Sequence, residues 1–484
     1  MAQYFMVTIM KTTTSRYMRI IAIILITILA FATVGCSFTL GSAHYDPDYI
    51  EQIVNPDRSL FYGETITVAT SWPEFINRTA IMYMAANPGV RINITNYNQT
   101  ITRGDYLRPF DEWIFDSVRL EIATQLMAGS APTLIEAVLA DPFDPRQSVF
   151  FYDWYLLMDA DPDFVEDDWF MNAFHAFSIN NQLFQLPTSF LYHPIAVNTT
   201  IPGLLEAMSD KRQGVTMSDL MELHREFSVD HPHLLEEYFT TGMLMEYYID
   251  RFVDVETGRV DFGEEFIKLV TYAESITCPN YTRRWSTLQP YTEHQMLRKS
   301  ERYLFNFYHS WFFRYWLDYD SERLFADITP LVNDRGELLL DSQFFAGYLL
   351  NANATPIQKA IAWDFMMFTM QIEENSLTIL SHLMMQPPNR NVFYNIARRQ
   401  LPYDYRYAAP YWFHGTEEEF IDGVIEVMTR FNEMSMRYTR VRPRVIDDII
   451  EDAMNQFHEG LLSVEQVAEL LQNQITLVLM EMSR

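Results

Sequence analysis

The chain has 484 residues, more than one hydrophobic core usually organises, which predicts roughly two to four domains. Its apolar fraction of 49% and charged fraction of 20% are typical of a globular protein and exclude a disordered chain. The formal net charge of −29 would repel a phosphate backbone, which excludes nucleic acid as a partner. Aromatic residues make up 15% of the chain, enough to fill cores and also to supply a surface on which ligands could stack.

The amino terminus has the pattern of a secretory signal. Lys11, Arg16 and Arg19 precede a mostly apolar run over Ile20–Val34. This run has the length of a signal-peptide core and falls short of the ~20 residues that span a bilayer. Only one further cysteine, Cys278, follows Cys36, and a secreted disulfide scaffold would carry more.

The segment Ala32-Thr33-Val34-Gly35-Cys36 resembles a bacterial lipobox, with Thr33 where that motif usually has Leu. The resemblance implies a signal peptide over 1–35 and a lipidated tether over 36–62. It further implies that diacylated Cys36 anchors the protein to the membrane on the extracellular face of the bacterial cytoplasmic membrane. An uncleaved membrane anchor and ordinary secretion are the alternatives, and both also place the body outside the cytoplasm.

The body begins with alternating strand and helix signals. Strands are predicted over Thr65–Thr70, Val90–Ile94 and Thr133–Leu139, because these runs are β-branched or alternate apolar and polar residues. Helices are predicted between them, after Pro73 and over Trp113–Met127. Strands separated by helices indicate βαβ units and a largely parallel sheet.

The rest of the chain is more helical, with isolated strands. Helices are predicted over Met217–Phe227 and Glu264–Ile276, from the capping signal at Thr355-Pro356-Ile357-Gln358, and from Ser463-Val464-Glu465-Gln466. Extended segments are predicted by four runs, namely Gln182–Phe190, Ala196–Asn198, Arg302–Tyr308 and Phe344–Leu350.

The order of several short motifs, between Thr65 and Glu481, resembles the family 1 extracellular solute-binding proteins of ABC importers, the maltose-binding-protein class. They are Ser71-Trp72, Asn87-Pro88-Gly89-Val90, Leu126-Met127-Ala128-Gly129-Ser130-Ala131-Pro132, Leu186-Pro187, Ala362-Trp363-Asp364-Phe365 and Gly460–Ala468. The chain departs from that family at Thr133, where Asp is usual, and at Val197-Asn198-Thr199, where the family has a Tyr-Asn-Lys segment.

This resemblance implies an α/β, two-lobed periplasmic-binding-protein-like fold of type II, with discontinuous lobes, a hinge and an interlobe cleft. Crossing segments are expected near Pro187, Tyr308 and Phe345. Lobe 1 would then span 60–186 plus 309–344, and lobe 2 would span 187–308 plus 345–484. The implied function is binding of a small-molecule ligand, a sugar or oligosaccharide, and its delivery to an ABC permease, without catalysis and without a cofactor.

Open α/β sheets bind ligands at the carboxyl ends of their strands, and a sugar site needs aromatic platforms and polar groups. Trp72 follows the first strand and is a candidate platform, although a tryptophan packed at a helix start has the same sequence signature. Asp141 follows the third strand and is a candidate acceptor for ligand hydroxyls, or else a turn former within Asp141-Pro142-Phe143-Asp144-Pro145.

Further aromatic candidates lie near the predicted crossings. Phe190 and Tyr192 would share one face of an extended segment, with core packing as the alternative. The resemblance places a stacking aromatic just after the second crossing, at Tyr308 or Trp311. Tyr348 and Trp412 complete the predicted ligand-binding set.

Other site chemistries lack support in the sequence. Asp159–Asp163 imitates a calcium loop but has neither Gly at its sixth nor Glu at its twelfth position, and His224, His231 and His233 lack zinc-site spacing. No metal site, nucleotide-binding loop or nucleophile motif is predicted. Two alternative functions remain: a secreted glycoside hydrolase or other carbohydrate-active enzyme, for which 64 carboxylates give ample material, and a lipoprotein whose cleft has a structural or sensory role.

Overall fold

The structure is a computed structural model. It describes residues 46–97, 115–192, 194–198, 201–211, 213–228, 233–235, 241–276, 303–307, 328–340, 347–372, 385–407 and 415–482. Within these ranges the strands are β1 (Thr65–Thr70), β2 (Arg91–Asn96), β3 (Leu134–Glu136), β4 (Gln185–Pro187), β5 (Pro194–Val197), β6 (His233–Leu235), β7 (Val253–Asp254), β8 (Arg259–Val260), β9 (Tyr303–Phe307), β10 (Ile328–Pro330), β11 (Leu338–Leu340), β12 (Gly347–Leu350) and β13 (Met436–Tyr438).

The helices are, in chain order, α1 (Pro47–Val54), α2 (Pro73–Ala86), α3 (Asp116–Met127), α4 (Pro145–Ser148), α5 (Tyr155–Ala160), α6 (Met171–Ala176), α7 (Leu204–Ala207), α8 (Met217–Phe227), α9 (Thr241–Phe252), α10 (Glu264–Ile276), α11 (Pro356–Gln371), α12 (Arg390–Tyr407), α13 (Glu417–Asn432), α14 (Arg444–His458) and α15 (Val464–Met482).

The first sheet has the strand order β2-β1-β3-β12-β4. β1 pairs in parallel with β2 and β3, as the strand–helix alternation predicts, whereas β12 runs antiparallel to β3 and β4. Both faces of the sheet are covered: Ile66 and Val68 belong to one apolar core, and the next residue, Ala69, belongs to another on the opposite face. This sheet and the helices packed on it form the unit we call lobe 1, the described residues within 47–192 and 347–438. It includes α1, which was predicted as part of the tether but packs on this core through Ile50 and Ile53.

The second sheet has the order β10-β5-β9-β6. Its core is separate from that of the first sheet and draws residues from α7 to α10 and from the last two helices, α14 and α15. The final helix buries Val467, Leu471, Ile475 and Leu479, and Ser463 and Gln466 form the reciprocal cap at its start. We call this unit lobe 2, the described residues within 194–335 and 444–482.

Among the described residues, three segments of chain connect the lobes. The first passes from Tyr192, in the core of lobe 1, to Ile195, in the core of lobe 2. The second is β11, where Leu338 and Leu340 face the first core and Leu339 faces the second. The third follows β13, which pairs in parallel with β11, and leads into α14. Tyr192 also bridges to Leu340, so the crossing strands contact one another directly.

This connectivity corrects the predicted partition of the chain. The segment 345–484 was assigned to lobe 2, but β12 pairs with β3 and β4, and α11 to α13 pack on the core of lobe 1. Conversely, 309–344 was assigned to lobe 1, but β10 pairs with β5 in the sheet of lobe 2. The predicted crossing near Tyr308 lies outside the described residues; β9 before it and β10 after it both belong to the second sheet, and a crossing that was not predicted follows β13. A strand signal in a sequence does not specify which sheet the strand joins.

Candidate functional site

The carboxyl ends of β1 and β3 lie side by side, because the two strands are parallel neighbours with Val68 opposite Leu134 and Ala69 opposite Ile135. β1 ends at Thr70, and Ser71 and Trp72 lead into α2, whose first residue is Pro73. Trp72 is 48% exposed and contributes no side-chain hydrogen bond to cap the helix. The structure therefore places this candidate platform at the edge of the sheet where open α/β folds bind their ligands.

A buried carboxylate organises this turn. Oε2 of Glu136, the last residue of β3, accepts hydrogen bonds from the hydroxyls of Thr70 and Ser71, each at 2.9 Å, and from the amide of Ser71. Trp72 is connected to the same cluster, because its amide donates to the hydroxyl of Thr70 at 3.1 Å. Burial raises the pKa of Glu136 above its ordinary value, while the bonds from Ser71 and Thr70 oppose that shift.

Tyr348 belongs to this buried cluster. It lies on β12 directly opposite Glu136, and only 6% of the residue is exposed. Burial raises the pKa of its hydroxyl, and the negative charge of Glu136 adds to that shift. The role of Tyr348 as a ligand contact stays a prediction.

Asp141 has both carboxylate oxygens occupied by backbone donors. Oδ1 accepts from the amides of Phe143 at 3.1 Å and Asp144 at 3.2 Å, the geometry of an Asx turn. Oδ2 accepts from the amide of Arg444 at 2.8 Å. Arg444 is the first residue of α14 in lobe 2, so an aspartate of lobe 1 caps a helix of lobe 2. In this conformation Asp141 acts as the turn former that the sequence left open as its alternative, with an interlobe contact added.

Charged side chains surround the Asp141–Arg444 contact. The guanidinium of Arg444 lies 3.6 Å from Asp448 and 3.9 Å from Asp116, and Arg119 bonds to the carbonyl of Val138 at 2.8 Å. Burial raises the pKa of Asp141 to about 6, opposed by the bond from Arg444. Burial also lowers the pKa of Arg119 to about 10, so this arginine keeps its charge at neutral pH.

Phe190 and Tyr192 lie in the core of lobe 1. They are 2% and 1% exposed, and their rings lie 6.3 Å apart between Phe170 on one side and Phe431 on the other. Core packing, the alternative that the sequence left open for this pair, is what this conformation displays.

The other predicted residues lie outside the described ranges. They are Tyr308, Trp311, Trp412 and the lipidation site Cys36. Their roles stay predictions, and the wall that lobe 2 contributes to the cleft is described only in part.

Glu136 was not predicted as a functional residue, although the sequence contains a signal for it. Glu136 is the one charged residue in Thr133–Ala140, an otherwise apolar run predicted to be a buried strand. A carboxylate in that position must have hydrogen-bond donors around it. The Arg444 contact had no signal, because its two partners are separated by 303 positions in the chain.

The described residues contain no group of three or more His, Cys, Asp or Glu side chains placed to hold a metal ion. Within the same ranges, every helix is too short or too polar to cross a bilayer.

Solved structures share this fold. The sugar-binding protein MalE from the phytopathogen Xanthomonas citri superposes with a TM-score of 0.52 at 12% identity, over 86% of this chain and 98% of that one. An ABC substrate-binding protein from Listeria monocytogenes, solved in complex with cycloalternan, gives a TM-score of 0.50 at 14% identity, over 86% and 98% of the two chains. No protein-family model matches the sequence, and the search of curated proteins also found no match. The α/β, two-lobed type II fold expected from the family 1 resemblance is confirmed.

Proposed function

We propose that the protein is an extracellular solute-binding protein that captures a sugar or oligosaccharide between its two lobes. The observation that carries the proposal is the fold itself, a discontinuous pair of α/β lobes shared along 86% of the chain with two binding proteins. One of those proteins is sugar-binding, and the other holds cycloalternan. The exposed Trp72 beside the sheet edge supplies the aromatic face that a pyranose ring requires.

Ligand capture would work through the hinge. Lobe 1 and lobe 2 have separate cores joined by three crossing segments, so they can move as bodies about β11 and β13. A ligand that contacts both lobes binds the closed form better and shifts the equilibrium toward it. This function needs no catalytic group, and the two carboxylates near the sheet edge, Glu136 and Asp141, already accept hydrogen bonds from the protein.

Calorimetry on the purified mature protein tests the binding function. The panel would contain linear gluco- and chito-oligosaccharides, cyclic glucans including cycloalternan, and peptides and polyols as other ligand classes. We expect heat of binding and a rise in melting temperature with at least one sugar. Absence of binding to every sugar, or turnover of aryl glycosides with product release, would overturn the proposal; turnover would favour the glycoside hydrolase alternative.

Delivery to an ABC permease and anchoring through Cys36 are the finer parts of the proposal. The motif Ala32-Thr33-Val34-Gly35-Cys36 supports the anchor, because diacylation would hold the protein at the cell surface beside an importer. Metabolic labelling with a palmitate analogue should mark the wild type and not Cys36→Ala. A wild-type protein that carries no acyl chain would contradict the anchor while leaving the binding function standing.

A further inference from the structure

We propose that Glu136 is a positioning residue for ligand binding: its carboxylate fixes the turn Ser71–Trp72 so that the indole of Trp72 presents one face to a sugar ring. This inference rests on the proposed function and deepens it. It assigns stacking against the sugar to the indole of Trp72, and the positioning of that indole to the carboxylate of Glu136.

Trp72 is far more exposed than the other tryptophans of the described residues. Trp154, Trp169 and Trp363 are at most 3% exposed, as expected for large apolar side chains, whereas Trp72 is 48% exposed. Leaving half an indole in water forfeits much of the burial energy that such a ring could gain. The exposed ring also lies beside the carboxyl end of the sheet, where a ligand would bring compensating apolar contact.

The backbone of Trp72 is constrained by the residues on both sides of it. Pro73 disfavours the helical region for the residue before it, and Trp72 accordingly has φ −127° and ψ 71°. On the other side, the amide of Trp72 donates to the hydroxyl of Thr70, which in turn donates to Glu136. The indole therefore has only its own side-chain torsions left to vary.

A single oxygen atom, Oε2 of Glu136, holds the turn together. Two hydroxyls and one amide converge on Oε2 of Glu136, and all three donors belong to Thr70 and Ser71, the residues directly before Trp72. A carboxylate suits this role because it is acceptor-only when ionised, and hydrogen bonds to a charged acceptor are stronger than those to a neutral one. Gln at this position would keep an acceptor oxygen but would add an N–H₂ donor to a cluster of donors.

The experiment is a double-mutant cycle on the full mature protein. Wild type, Glu136→Gln, Trp72→Ala and the double variant are titrated with the oligosaccharide that binds best in the panel. Glu121→Gln on α3 is the control, because its carboxylate accepts hydrogen bonds from Gln125 at 3.0 Å and from the hydroxyl of Tyr97 at 3.4 Å, neither of which belongs to the Ser71–Trp72 turn. We expect about a tenfold weaker Kd for Glu136→Gln, a larger loss for Trp72→Ala, and no further loss when the two are combined.

A merely structural role would give a different pattern. In that case Glu136→Gln would weaken binding in proportion to its loss of melting temperature, and its effect would multiply with that of Trp72→Ala. Either result, or an unchanged Kd for Glu136→Gln, overturns the inference. Glu136→Asp supplies a second variant: it keeps the charge one methylene further back, and we expect it to recover part of the affinity.

Hydrogen exchange separates this inference from the proposed function. In the ligand-free protein, a peptide covering the end of β1 and the Ser71–Trp72 turn should exchange faster in Glu136→Gln and at the wild-type rate in Glu121→Gln. If the wild type binds no sugar, the proposed function and the stacking role of Trp72 fall together, whatever the exchange rate. If the wild type binds sugar and exchange at the turn is unchanged in Glu136→Gln, only the role of Glu136 falls.

Discussion

Two carboxylates lie five residues apart, Glu136 at the end of β3 and Asp141 beyond it, and they have different roles. Glu136 accepts hydrogen bonds from Thr70 and Ser71, within lobe 1, and stabilises the turn that exposes Trp72. Asp141 accepts from its own turn and from the amide of Arg444, the first residue of an α-helix in lobe 2. One carboxylate shapes a surface inside a lobe, and the other connects the two lobes.

With this division of roles, the shape of the binding site in lobe 1 does not depend on the relative motion of the two lobes. Glu136 and its donors move as part of one rigid sheet, so the orientation of Trp72 should be the same in the open and closed forms. The bond from Asp141 to Arg444, in contrast, spans two bodies, and its energy enters any change in their relative orientation.

Removing the carboxylate of Glu136 should have the largest effect on stability. In Glu136→Ala the amide of Ser71 and two hydroxyls lose their shared acceptor in a fully buried site, so we expect the free energy of unfolding to fall by about 2–3 kcal/mol. Glu136→Gln keeps one acceptor oxygen and should lose about 1 kcal/mol. Urea unfolding followed by circular dichroism measures both. Equal losses for the two variants would show that side-chain volume, rather than the hydrogen bonds, determines the cost.

The titration of Asp141 should make the free energy of unfolding depend on pH. Its pKa of about 6 in the folded protein exceeds the value of about 3.9 for an exposed aspartate, so the native state binds more protons between these values. Stability therefore falls as pH rises from about 4 to 6, by up to ~3 kcal/mol from this group. Asp141→Asn cannot titrate and should lack this decline.

The measurement is the free energy of unfolding of wild type and Asp141→Asn from pH 4 to 7.5. The control is Asp116→Asn, which removes a more exposed carboxylate 3.9 Å from Arg444 and so measures how far loss of a neighbouring carboxylate alone changes the profile. Parallel profiles for wild type and Asp141→Asn would refute the perturbed titration of this group.

The interlobe bond itself can be removed without touching Asp141. Proline is well tolerated at the first position of a helix and has no amide hydrogen, so Arg444→Pro deletes the donor that Asp141 Oδ2 accepts from. Arg444→Ala, which loses the same side chain but keeps the amide, is the matched control. We expect Arg444→Pro to be about 1–2 kcal/mol less stable than Arg444→Ala. Equal stability would mean that the bond contributes nothing to holding the lobes.

Local features of this chain were predictable from sequence. The bounds of β1 and of the helices Met217–Phe227 and Glu264–Ile276 match those in the structure, because alternation, helical periodicity and caps such as Thr216 act within a few residues. Trp72 could be placed beside the sheet edge for the same reason, since it directly follows a strong strand signal.

Non-local pairing was not predictable. The run ending at Leu350 predicts a strand, but its partners β3 and β4 lie far earlier in the chain, and nothing in the run indicates which sheet it joins. The same limit applies to Asp141, whose turn chemistry was visible and whose partner at Arg444 was not. The sequence departure at Thr133 has a local explanation in the structure: Thr67 and Thr133 exchange amide-to-hydroxyl hydrogen bonds at 3.0 and 3.3 Å between β1 and the residue before β3.

The smallest expected effect tests whether the Glu136 cluster acts as a unit. Ser71→Ala removes one of the three donors to Oε2 while the Ser71 amide keeps its bond, so we expect a loss of about 1 kcal/mol. In the Glu136→Gln background the same substitution should cost clearly less, because the charged acceptor that strengthens the hydroxyl bond is gone. Urea unfolding of the four proteins gives the coupling energy, and strictly additive losses would mean that the hydroxyl of Ser71 and the carboxylate of Glu136 stabilise the turn independently.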